Sequence, residues 1–162
     1  MRGARHEIER QRARLDSAFE RIRSISENDT EARADFAKYL CVRVSGYLET
    51  SISGLLEAYA AGQSGPAIAR YMSAELSRFQ NARREKIVDL LGKFDDRWRD
   101  DLTAYLVDER ADAIGTIVKN RHLIAHGADS TITYTRVKEH WKVIQQIVDH
   151  IADLLDPPRP RS

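Results

Sequence analysis

From about residue 31 to residue 60 the chain carries Phe36, Tyr39, Leu40, Val44, Tyr47, Leu48, Ile52, Leu55, Leu56 and Tyr59, with no proline among them. Steps of three and four mark a helix. Its apolar residues cover much of the circumference rather than one stripe, so a single neighbour cannot bury them. A helix of this kind belongs at the centre of a bundle. That requirement limits the fold more than any other feature.

The rest of the chain supplies the neighbours. Ile8, Leu15, Phe19, Ile22 and Ile25 form an amphipathic stripe over about residues 4–26, and Ser26-Glu27-Asn28-Asp29-Thr30 offers a turn with helix caps. Gly62-Gln63-Ser64-Gly65-Pro66 breaks the chain, with Pro66 suited to the first turn of a new helix. Shorter helices are expected at 66–79, 82–91 and 96–107, punctuated by Asn81, Gly92 and Phe94-Asp95-Asp96, and another at 109–125 that Gly127 stops. After a loop through Thr131, Thr135 is expected to cap a last helix striped by Val137, Trp141, Ile144, Val148, Ile151 and Leu155. No alternating pattern runs longer than Ile132–Tyr134. The expectation is all-α: a compact bundle of about five to seven helices. It divides into a basic N-terminal helix (1–27) packed on a helical domain (28–156), with a disordered tail (157–162).

Charge narrows the function less. Lysine and arginine number 26 against 25 aspartates and glutamates, so no global field advertises a polyanion or a membrane. Locally, residues 1–25 hold Arg2, Arg5, Arg10, Arg12, Arg14, Arg21 and Arg23 against four acids. Such a run is a substrate-facing wall for RNA or, more commonly, the solvated face of a surface helix. Cys41 is the single cysteine, which excludes an internal disulfide, and its apolar neighbours predict a buried, inert thiol. The sequence contains neither a membrane-length apolar run nor the apolar centre of a signal peptide, so a cytoplasmic location is expected.

The chemistry-bearing stretch is Lys119-Asn120-Arg121-His122-Leu123-Ile124-Ala125-His126-Gly127. An always-charged guanidinium can neutralise charge building on phosphorus, and an imidazole can move protons near neutrality. On a helix, positions four apart lie about 40° from each other and five apart about 140°. His122 and His126 therefore share a face while Arg121 points elsewhere, unless His126 swings toward it from a fraying last turn. The helix C-terminus favours a protonated ring there. Two competing readings stand beside this one. A histidine pair at this spacing can ligate zinc, but Leu123 occupies the place of the usual glutamate, and His6, His140 and His150 are scattered. Alternatively, Arg121 and His126 only satisfy carbonyls at a helix end, the common fate of a lone Arg-x4-His string.

Context favours the first reading. Arg121, His122 and His126 before the last helix of a small α bundle resemble the signature of the HEPN superfamily (higher eukaryotes and prokaryotes nucleotide-binding). Tyr39 through Leu56, Phe79-Gln80-Asn81, Glu85-Lys86-Ile87, Leu91 through Asp95, Asp112-Ala113-Ile114 and Ile132-Thr133-Tyr134 resemble its RiboL-PSP-HEPN branch or near relatives. The resemblance spans about residues 30–155 and is weakest in the arginine-rich first helix. It implies a metal-independent endoribonuclease, a toxin or a phage-defence or stress enzyme, working as a homodimer with one composite site. Arg121 and His126 are then the catalytic pair, Asn120 and His122 bind or orient substrate, and Ser45 and Glu49 approach from the long helix. No cofactor or metal is implied. RNA, a second copy of the chain and a separate antitoxin or regulatory protein are the expected partners, and no membrane. The alternative is a HEPN dimer without chemistry that binds RNA, nucleotide or protein.

Overall fold

A computed structural model describes residues 1–25 and 28–156. Among them are seven helices and no strand: α1 (Arg2–Ile25), α2 (Thr30–Gln63), α3 (Pro66–Leu76), α4 (Arg84–Gly92), α5 (Asp96–Tyr105), α6 (Asp108–Ala125) and α7 (Tyr134–Leu155). The expected turn at Ser26-Glu27 and the tail from Pro157 lie outside the described residues.

The α2 helix is the hub, packing against α1, α3, α6 and α7, while α4 and α5 pair with each other and α4 touches α6. Leu40, Val44, Leu48, Ile52, Leu55 and Leu56 are fully buried along it. Burying side chains of this size contributes roughly 1.5–3 kcal/mol each. Tyr39 departs from the expected stripe: it is 47% exposed, with its hydroxyl accepting from Arg43 Nη1 at 2.6 Å. The hydroxyl finds a partner on the rim that an apolar core would deny it.

Local signals set the helix ends. Asp29 caps α2 by accepting from the Ala32 N–H at 2.9 Å, and Asp95 caps α5 by accepting from Arg97 N–H at 2.8 Å. Thr133, not Thr135, caps α7, accepting from Arg136 N–H at 3.2 Å. Thr135 already lies inside the helix, as its second residue. Gly127 has φ +67° and follows α6 in a Schellman arrangement, with Ala128 N–H on Leu123 O at 2.9 Å and Gly127 N–H on Ile124 O at 3.2 Å.

Rings and two arginines lock α1 to α2 and α7. Trp141 Nε1 donates to Asp16 at 2.6 Å, its ring lies edge-on to Tyr47 at 4.8 Å, and the Tyr134 hydroxyl donates to Phe19 O at 2.8 Å. Arg12 reaches from α1 to donate to the Tyr47 hydroxyl at 2.7 Å, Asp149 at 2.6 Å and Gln145 O at 3.0 Å. Arg5 donates to Ala152 O at 2.8 Å and to Asp153 at 3.0 Å. Part of the basic run is thus internal cement rather than a free wall.

Candidate functional site

The α6 helix meets α2 through Cys41, whose sulfur lies 3.5 Å from Ile117 O. Burial pushes the thiol up to about 12, against a smaller opposing contribution from the Arg121 backbone N–H. This contact fixes the turn of α6 from which Arg121 projects. The Arg121 side chain is half-buried, and its Nη1 donates to Asn81 Oδ1 at 3.5 Å, the long end of hydrogen-bond range.

Asn81 sits in the connection between α3 and α4 with φ +53°, a left-handed conformation that asparagine tolerates better than most residues. Its backbone N–H donates to Glu49 Oε1 at 2.7 Å. Glu49 of α2 and Arg121 of α6 therefore meet at a common partner. Three separate segments set the direction of the guanidinium. Asn81 was in plain view between two helices, but its bond to a residue 40 positions away left no local pattern.

At the end of α6, His122 and His126 are both exposed, and their rings lie against each other with centroids 4.3 Å apart and planes tilted by 57°. The four-residue spacing puts them on one face. His126 is the C-cap of α6, its backbone N–H bonded to His122 O and Leu123 O at 3.2 Å each. Its ring pairs with His122, so the swing toward Arg121 that a fraying end would permit is not the arrangement seen. The Schellman closure holds this turn in place.

The other expected residues divide. Asn120 Nδ2 donates to Thr116 O and its Oδ1 accepts from the Ser130 hydroxyl, both at 2.8 Å. It braces the loop after α6 instead of facing outward. Ser45 is 1% exposed, with its hydroxyl unpartnered in the core. Among the described residues no group of three or more His, Cys, Asp or Glu side chains is placed to hold a metal ion.

Beside His122 opens a cleft of about 350 Å³ between the start of α4 and α6, with Arg83, Glu85, Gly115 and Lys119 among its lining residues. The Arg84 guanidinium, also at the cleft, donates to Leu106 O and Thr103 O at the C-terminal end of α5.

No helix among the described residues is long and apolar enough to cross a membrane. No curated protein and no solved structure shows a significant match to the chain. A family model does: that of RiboL-PSP-HEPN matches residues 13–156, from the middle of α1 to the cap of α7, and the chain belongs to the RiboL-PSP-HEPN family.

Proposed function

We propose that the protein is a metal-independent endoribonuclease that works as a homodimer, with Arg121 and His126 of both subunits forming one composite site. Family membership points to a nuclease or an RNA-binding module. The reading within that choice rests chiefly on one observation: a half-buried Arg121 bonded to Asn81 is followed directly by His122 and five positions on by His126, two exposed imidazoles in contact at the end of α6.

In this mechanism the ribose 2′-oxygen attacks its own phosphate, the P–O bond to the 5′-oxygen breaks, and a 2′,3′-cyclic phosphate and a 5′-hydroxyl result. One imidazole takes the 2′-hydroxyl proton and another delivers a proton to the leaving oxygen. Attack and departure occur on opposite sides of phosphorus, roughly in line. Rings 4.3 Å apart and in contact cannot straddle a phosphate. A single chain therefore supplies one side, and a second copy supplies the other. Arg121 from each subunit stabilises charge on the phosphoryl oxygens, its direction set by Asn81 and Glu49. His122 orients the His126 ring.

The test incubates purified protein with total RNA in EDTA, wild type beside Arg121→Ala and His126→Ala, and sequences the cut ends. Cyclic-phosphate ends from the wild type alone are expected. Activity that vanishes with EDTA and returns with zinc or magnesium refutes the mechanism. A second reading, an RNA-binding module without chemistry, is favoured by Asn120, whose amide is taken up in bracing. It predicts RNA binding with no cut by any form. A host growth test supplies the biological arm: induction slows growth if the protein is a toxin, and His126→Ala relieves it.

A further inference from the structure

We propose that the α4–α6 cleft is the subsite for the nucleotide next to the scissile phosphate, a proposal that rests on the ribonuclease reading. Four features of the cleft converge on a phosphate with its attached base.

The first is its rim. Arg83 and Lys119 are exposed on opposite helices at the cleft, and His122 of the motif borders the same space. The cleft is therefore continuous with the proposed chemistry. The second is the start of α4. Arg83 occupies its N-cap and no side chain caps it. The first-turn N–H groups of a helix attract anions when left open. A phosphate beside Arg83 meets a guanidinium and a helix N-terminus together.

The third feature is the floor. Gly115 lies within α6 and lines the cleft, and a Cβ built there meets nothing within 4 Å. Glycine inside a helix is disfavoured relative to alanine because it has more backbone freedom to lose on folding. Nothing in the packing demands the missing side chain. What its absence provides is a bare patch of helix open to a flat ligand such as a base. The fourth is the size: about 350 Å³ lies within the range of small-molecule sites. Glu85 is the carboxylate on the lining, and it opposes phosphate there. Its chemistry suits a base amino group instead.

The test uses a fluorescein-labelled 2′-O-methyl oligoribonucleotide, which lacks the attacking hydroxyl and binds without being cut. Full-length protein is compared with Gly115→Leu, with the double variant Arg83→Ala/Lys119→Ala, and with Arg97→Ala as a control for loss of charge far from the cleft. Gly115→Leu and the double variant are expected to weaken binding tenfold or more. The double variant also lowers the slope of log affinity against log salt by about 1.4, as two lost phosphate contacts on a single strand require. Arg97→Ala changes neither.

Unchanged affinity and slope in the double variant overturn the proposal, and so does unchanged affinity in a Gly115→Leu protein whose circular dichroism and melting match wild type. If Gly115→Leu does not fold, the double variant decides, since both its residues are exposed. The two readings fail separately. Wild-type protein that never cuts RNA but loses probe affinity in the cleft variants removes the ribonuclease and keeps the subsite. Cleavage at unchanged KM in every cleft variant removes the subsite and keeps the ribonuclease.

Discussion

Along the seam where α1 meets α7, the Arg12 guanidinium is nearly enclosed, with a phenol, a carboxylate and a backbone carbonyl taking its donors. At the mouth of the α4–α6 cleft, Arg83 stands exposed beside an uncapped helix end. Both regions look basic in the sequence, and the seam looks more so. The difference is whether the protein itself has already occupied the donors. A guanidinium that cross-links two helices has little left for a phosphate, whereas one at an open rim has all five N–H groups to offer. Density of positive charge in the sequence is thus a poor guide to where this molecule leaves a cation free for an anion.

The contrast can be broken by experiment. Trp141→Ala, in the seam, removes a 2% exposed ring and should cost about 3–5 kcal/mol, lowering the melting temperature by roughly 10 °C. A melt within a degree or two of wild type contradicts the view of the seam as the structural side. Arg12→Met comes next, at about 1–3 kcal/mol by denaturant titration, because it removes the partner of the buried Tyr47 hydroxyl and the bridge from α1 to Asp149. Its RNA affinity should keep the wild-type salt slope; a flatter slope would return α1 to the binding surface.

A smaller effect comes from His140, buried on α7 with no hydrogen bond to its Nε2 and the Asp112 carboxylate 3.9 Å away. Burial holds its imidazole below the ordinary range, and the Arg136 charge adds to this. The unfolded chain then takes up the proton first as pH falls. This contribution to stability is complete above about pH 6.5 and declines as pH drops from there toward the lowered folded value. His140→Gln should flatten the stability–pH curve in that window, and an unchanged curve assigns the slope elsewhere. Least of all is the effect of Arg83→Ala on stability, within about 0.5 kcal/mol as for most exposed positions. A larger loss would mean that this arginine also holds the fold together.

Much of the fold was legible because its signals are local. Stripes of Val, Ile and Leu at helical spacing place α2 and α7 correctly, and Gly127 marks the end of α6 by the left-handed conformation that it adopts. The errors lie where one pattern admits two answers. Threonine recurs at 131, 133 and 135, and only the fold selects Thr133 as the cap. Tyr39 fits the apolar period but has a hydroxyl that prefers the rim. Within the site, the facing of His122 and His126 follows from their spacing. The bracing of Arg121 through Asn81 and Glu49 does not, since it joins three segments far apart in the chain. The family match, too, reaches back to residue 13, into the helix whose arginines seemed least familiar.

The sole thiol of the chain offers a way to watch α2 and α6 part. Cys41 lies sealed between α2 and α6, protonated at any ordinary pH, directly beneath the turn that carries Arg121. A thiol-specific dye can react there only when those two helices part. Its labelling rate is therefore a clock for how often the floor under Arg121 opens, built into the native sequence and requiring no substitution.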